Sequence, residues 1–151
     1  MNENEILVAL SESEKVNLWK IDFADQPNPQ KVFSAIWVLE SEVNNGGFSQ
    51  YFQNLSCETT GFIAEALETI GAPRTAEICR RAIAAAFPDG LPADPEAISS
   101  AAAEFPPQTE EKLGALDTEF YQYPHNLTEL LFAFVSKHPE EFGELPLVDD
   151  V

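Results

Sequence analysis

Trp37-Val-Leu-Glu-Ser-Glu-Val-Asn-Asn-Gly-Gly-Phe-Ser-Gln-Tyr-Phe-Gln-Asn54 is the passage whose reading decides the fold. Its first half has a helical period. Val32, Ile36, Leu39 and Val43 recur at i, i+4, i+7 and i+11, and Phe33 and Trp37 widen that apolar stripe. Asn44-Asn45-Gly46-Gly47 then predicts a stop. Asn and Gly tolerate the left-handed backbone of a helix end, and two glycines allow a sharp redirection. Phe48, Tyr51 and Phe52 follow at i, i+3 and i+4. They predict a second short helix, 48–54, whose aromatic face returns onto the first. The expected object is a buried helix-turn-helix corner that carries the rest of the architecture.

Upstream, residues 4–22 predict a first helix through Ile6, Leu7 and Leu10, then Val16, Trp19 and Ile21, with Ser11-Glu-Ser-Glu14 as a break. Asn28 reads as the N-cap of the corner helix and Pro29 as its first residue. Downstream, Ser56 or Thr59 is expected to cap a helix carrying Ile63, Ala66, Leu67 and Ile70, which Gly71 ends. Pro73 opens the next, with Ala76, Cys79, Ile83 and Phe87 inward, and Phe87-Pro-Asp-Gly-Leu-Pro92 is a turn. Asp94-Pro95 starts a helix with Ile98, Ala101, Ala102 and Phe105, stopped by Pro106-Pro107. Thr109 is the expected cap for Leu113, Leu116 and Phe120; Asn126 caps Leu127, Leu130, Leu131 and Phe134; His138-Pro139 ends that helix ahead of an acidic tail to Val151. No period-two run bounded by hairpin turns occurs, and no repeat of 20–50 residues. The reading is a single all-α domain, 1–151, of about seven to nine short helices.

Charge is the dominant compositional signal: 26 Asp plus Glu against 8 Lys plus Arg, a net of −18. Residues 1–88 hold 12 acids and 6 bases, and residues 89–151 hold 14 acids and 2 bases, so the shorter segment is the more negative. Duplex DNA carries about one charge per 1.7 Å of axis, so this surface repels nucleic acid. It repels anionic membranes too, and attracts basic proteins, whose association opposite charge accelerates roughly 10- to 10³-fold. The plainer reading of the same charge is solubility. No run approaches the roughly 20 apolar residues of a membrane span. The start, Met-Asn-Glu-Asn-Glu5, lacks the positive end of a signal peptide, so a cytoplasmic protein is expected. Cys57 and Cys79 are isolated, and Cys79, among Ile78, Ala82 and Ile83, reads as a small core residue. Arg74, Arg80 and Arg81 are expected to pair with nearby carboxylates rather than bind phosphate.

Leu39-Glu-Ser-Glu-Val-Asn-Asn-Gly-Gly-Phe-Ser-Gln-Tyr-Phe-Gln-Asn54, followed by Ala66-Leu67 and Ile70-Gly71-Ala72, resembles the bacterial DNA-mimic-protein family over roughly residues 30–85. The resemblance marks Glu40, Glu42, Asn44, Asn45, Gly46, Gly47, Phe48, Gln50 and Tyr51 as the family-motif corner. It implies a small all-helical domain that takes the place of DNA on a DNA-binding protein. Such a surface needs carboxylates at phosphate-like intervals, and residues three or four apart on a helix stand about 5–6 Å apart at Cβ. Asp89, Asp94, Glu96, Glu104, Glu110, Glu111, Asp117 and Glu119 are the candidate partner-binding acids.

Reactive chemistry has little support. His125 and His138 match no zinc spacing, and there is no Cys-x-x-Cys, nucleophile elbow, phosphate loop or calcium loop. Neither an enzyme nor a cofactor is expected. The favoured function is occlusion of a basic DNA-binding protein, such as a helix-turn-helix regulator, with no direct contact to nucleic acid or membrane. A homodimer would lengthen the charged row to suit a two-fold regulator. Two alternatives stand beside it. One is an immunity-type inhibitor of a basic nuclease toxin. The other is a small-ligand binder or enzyme using the polar corner Glu40–Gln50, where Glu40 is expected to be shielded and its pKa raised. Against that third reading, Glu40, Asn44 and Gln50 are expected to satisfy the backbone ends of two helices meeting at the turn.

Overall fold

The computed structural model describes residues 1–54 and 58–145. Ser56 and Cys57, and the acidic tail beyond Leu145, lie outside the described residues. Eight α-helices occur among the described residues: α1 Glu3–Ser11, α2 Asn28–Gln53, α3 Ile63–Thr69, α4 Pro73–Ala86, α5 Pro95–Ala102, α6 Pro107–Tyr121, α7 Leu127–Ser136 and α8 Pro139–Phe142. No strand is present among them, and none of the helices is long and apolar enough to cross a membrane. The all-α expectation is met.

Helix α2 is the spine. It packs against α3, α5 and α6 along its length and touches α7 and α8, while α4 bridges α3 and α6 and α1 lies on α7. Its inward stripe, Val32, Phe33, Ile36, Leu39 and Val43, is wholly buried. At Gly46 and Gly47 the helix breaks direction without losing its run: φ is −155° at Gly46 and +77° at Gly47, and helical geometry resumes at once. The anticipated stop is therefore a kink. Phe48, Tyr51 and Phe52 beyond it are buried. Phe52 stands 5.4–6.3 Å from the rings of Phe48, Tyr51, Phe87 and Phe105, contacts worth about 0.5–1.5 kcal/mol each beyond burial. Phe48 meets Phe120 of α6 edge-on at 5.9 Å.

Several boundaries differ from those expected. The first helix ends at Ser11, and residues 12–22 are turns. Val16 is buried there, but Trp19 is 86% exposed. The α1 start is a capping box the sequence reading missed: Asn2 Oδ1 accepts from Glu5 N, and Asn2 N donates to Glu5 Oε2. Pro27, not Asn28, precedes α2, whose first turn has no side-chain cap. Thr59 does not cap α3; its hydroxyl bonds that of Tyr51 at 2.6 Å. Pro107 opens α6, so Thr109 lies inside that helix. The proline pair both ends one element and starts the next, because the missing N–H costs nothing in a first turn. Phe105 follows α5 rather than belonging to it, and still packs on Phe87. The caps at Asp94 and Asn126 are as expected, accepting from Glu96 N and Glu129 N.

Two glycines make opposite predictions. A Cβ at Gly47 overlaps the Asp117 carboxylate and demands a left-handed backbone, so Gly47→Ala should cost about 1–3 kcal/mol. Gly114, within α6, has open space around a Cβ, so Gly114→Ala should stabilise by roughly 0.5–1 kcal/mol. Urea unfolding of both variants measures the two signs.

Candidate functional site

The corner is held from α6. Asp117 Oδ1 accepts from Phe48 N at 2.8 Å, capping the first free N–H after the kink and placing negative charge at the positive end of a helical segment. Ser49 Oγ donates to Glu110 Oε2 at 2.6 Å, one pair of turns away on the same helix. Tyr121 OH donates to the carbonyl of Val43 at 2.6 Å, closing the other side of the kink. The expectation that Glu40, Asn44 and Gln50 satisfy the helix ends is not met: Asp117 and Tyr121 of α6 do so, and those three side chains bond other side chains.

Those amides form two separate networks. In the first, Glu42 Oε2 accepts from Gln50 Nε2 at 2.6 Å and from Asn54 Nδ2 at 2.9 Å, and Asn45 Nδ2 donates to Gln50 Oε1 at 3.2 Å. In the second, Asn44 Nδ2 donates to Tyr123 OH at 2.7 Å, and that hydroxyl donates to Glu40 Oε2 at 2.9 Å. Glu40 and Gln50 do not share a pocket. Burial pushes the Tyr123 phenol up to about 12, beside the Glu40 carboxylate.

The eight candidate acids divide in the same way. Asp117 faces inward, Glu110 holds Ser49, Asp94 caps α5, and Glu119 accepts from Nη2 and Nη1 of Arg81 at 2.6 and 2.9 Å. Asp89, Glu96, Glu104 and Glu111 are exposed on the turn before α5, on α5, after it and on α6. Arg80 pairs with Glu68 at 2.6 Å, so two of the three arginines neutralise local carboxylates as expected. Arg74 donates its backbone N–H to His125 Nε2. Cys79 is a buried free thiol, pushed up to about 12 by burial. No group of His, Cys, Asp and Glu suited to a metal occurs among the described residues.

The chain is an all-helical body with a glycine kink capped by a carboxylate and a net charge of −18. The sequence matches the model of the DMP19-like protein family over residues 24–138, most of its length, and the chain belongs to that family. The match reaches well beyond residues 30–85, through α6 and α7, and leaves α1 outside. No curated protein and no solved structure matches it significantly.

Burial pushes Glu40 above the usual carboxylate range, against a smaller opposing effect of the Tyr123 bond. Burial does the same at Asp117, offset by Phe48 N–H and reinforced by Glu110, and at Glu58, reinforced by Asp22. These groups hold a proton more tightly folded than unfolded. The stability they supply is complete below the ordinary carboxylate range and is lost as pH rises through the raised values. Glu119, held down by Arg81, works in the opposite sense, its contribution being lost on acidification. The Glu119 contribution changes only below the ordinary carboxylate range, so the three raised groups set the trend above it, and the melting temperature should be higher near about pH 5 than near about pH 7.5. Glu40→Gln should reduce that difference and melt no lower than wild type at the higher pH, as thermal unfolding across pH will show.

Proposed function

We propose that this protein binds a basic DNA-binding protein through surface carboxylates and keeps it from DNA. The observation that carries the reading is membership of the DMP19-like family, a family of DNA mimics, by a chain of net charge −18. The arrangement of the acids supports it. Asp89, Glu96, Glu104 and Glu111 stand exposed around α5 and the start of α6, clear of the acids that hold the corner. A basic groove-binding surface gains most of its affinity from such charges, and Arg80 and Arg81 are already engaged by Glu68 and Glu119. The role is one of binding, with no bond made or broken. A helix-turn-helix regulator is the partner class with the right groove and charge.

The test uses the immobilised protein, a lysate, and elution by salt. Recovered partners should be basic DNA-binding proteins, retained about a hundred-fold less strongly at high than at low ionic strength. The wild-type protein should displace such a partner from DNA in a mobility-shift assay. Joint replacement Asp89→Asn, Glu96→Gln, Glu104→Gln and Glu111→Gln should weaken capture at least about ten-fold while leaving the fold intact, since surface substitutions stay within about 0.5 kcal/mol each. Recovery of non-basic partners alone, or capture indifferent to salt, would overturn the reading.

A further inference from the structure

A cleft of about 190 Å³ lies where three helices meet. Trp37, Glu40, Ser41 and Asn44, at i, i+3, i+4 and i+7 of α2, line it along one side. Asn4 and Leu7 of α1 line a second, and Thr128 and Leu131 of α7 a third. The α1 wall comes from a segment outside the family match.

Glu40 is the unusual member. It is half-buried, yet Tyr123 gives it one hydrogen bond, to Oε2, and no ion pair reaches it among the described residues. Because Tyr123 OH accepts from Asn44, its own proton is directed to Glu40, and this relay is fixed by a backbone at φ +47° in the left-handed region. Oε1 has no hydrogen-bond partner among the described residues. An ionised carboxylate accepts at about four lone-pair sites, so a half-buried one with a single donor keeps acceptor capacity that a cation entering the cleft can meet. Trp37 borders the same space, its indole stacked on Phe33 at 5.5 Å and so held in place. An indole and a carboxylate lining one cleft, with Leu7 and Leu131 opposite, suit a cation on an apolar stem.

We propose that this cleft seats an arginine side chain of the basic protein partner, with the guanidinium on Glu40 Oε1 and against Trp37 and the stem on Leu7 and Leu131. That a partner protein supplies the arginine rests on the function proposed above. Arginine fits better than lysine, because a planar, weakly hydrated guanidinium both stacks and hydrogen-bonds. A second copy of this chain is the poorer source: its net charge of −18 repels, and its Arg80 and Arg81 are already paired. The cleft adds what exposed carboxylates lack, a partly desolvated anchor that resists salt.

The chain has two tryptophans, so Trp19→Phe at the exposed position leaves Trp37 as the sole reporter of the cleft. In that background, Nα-acetylarginine amide should change Trp37 emission saturably, and its neutral citrulline counterpart should act at least about ten-fold more weakly. Adding Glu40→Gln should abolish the difference between the two. So should Asn4→Phe, which fills the cleft from the α1 rim without altering Glu40 or adding a second indole. The quadruple acid variant should respond as its parent does. An unsaturable response, equal responses to the two probes, or an arginine response that survives Glu40→Gln in a folded protein would overturn the assignment. Partner retention at high salt should fall about ten-fold in Glu40→Gln; unchanged retention overturns the partner's role in it. If the wild type captures no basic partner, the function proposed above and the source of the arginine fall together, and the emission titration alone decides the chemistry of the cleft.

Discussion

One hydrogen bond sets the geometry on which the other contacts depend: the carboxylate of Asp117 on the N–H of Phe48. For that oxygen to reach the backbone, residue 47 must have no side chain, and for the chain to turn there its φ must be positive. Glycine alone meets both demands without strain. Once the kink is set, Phe48 and Phe52 point into the space between α6 and the Phe87–Phe105 pair, and the aromatic core closes around them. A straight α2 would carry those rings past the core. The same bond explains why burial raises the pKa of Asp117 only against resistance: the N–H that it caps favours the ionised form.

The sequence made the apolar stripes legible because they are local. Residues four and seven apart on one helix share a face whatever the rest of the chain does, so Val32 to Val43 and Ile63 to Leu67 were readable directly. The two caps at Asp94 and Asn126 were readable for the same reason. What was not legible was long-range. Nothing near Gly47 announces that the cap arrives from residue 117, nor that Tyr123 reaches Glu40 across more than eighty positions. Prolines misled in a specific way. Pro106-Pro107 and His138-Pro139 were read as stops, but Pro107 and Pro139 are also first residues of helices. Trp19 misled by type: an indole next to apolar neighbours suggested the core, and it stands on an exposed turn.

The candidate acids show the same limit. Spacing along a helix says which carboxylates are neighbours, not which are already engaged. Asp117 and Glu119 differ by two positions on α6, and so point to different sides. One meets the corner and the other meets Arg81 of α4. Charge counted from sequence therefore overstates the charge free to meet a partner. Of the remainder, Glu96 and Glu111 sit on helices that the core holds through Ile98, Ala102, Leu113 and Leu116, and Asp89 and Glu104 flank α5. Rigid placement matters for an imitation of DNA, because each mobile carboxylate must lose rotamer freedom when it binds.

Exposed carboxylates and a half-buried one would contribute differently to the recognition proposed above. Exposed rows act over a Debye length of roughly 8–10 Å and raise the rate of encounter with any basic surface, which gives attraction without much discrimination. A carboxylate at the bottom of a cleft acts only on a group that can enter, lie against an indole and replace lost hydration with a hydrogen bond. Helix α2 joins the two. Glu40 stands before the kink, and beyond it Ser49 and Phe48 fasten to Glu110 and Asp117 on α6, the helix whose outer side carries Glu111. The glycine pair thereby fixes the spacing between Glu40 and the exposed acids, the two elements of the proposed recognition. A binder with only the field would compete poorly against DNA, which presents more charge over a greater length.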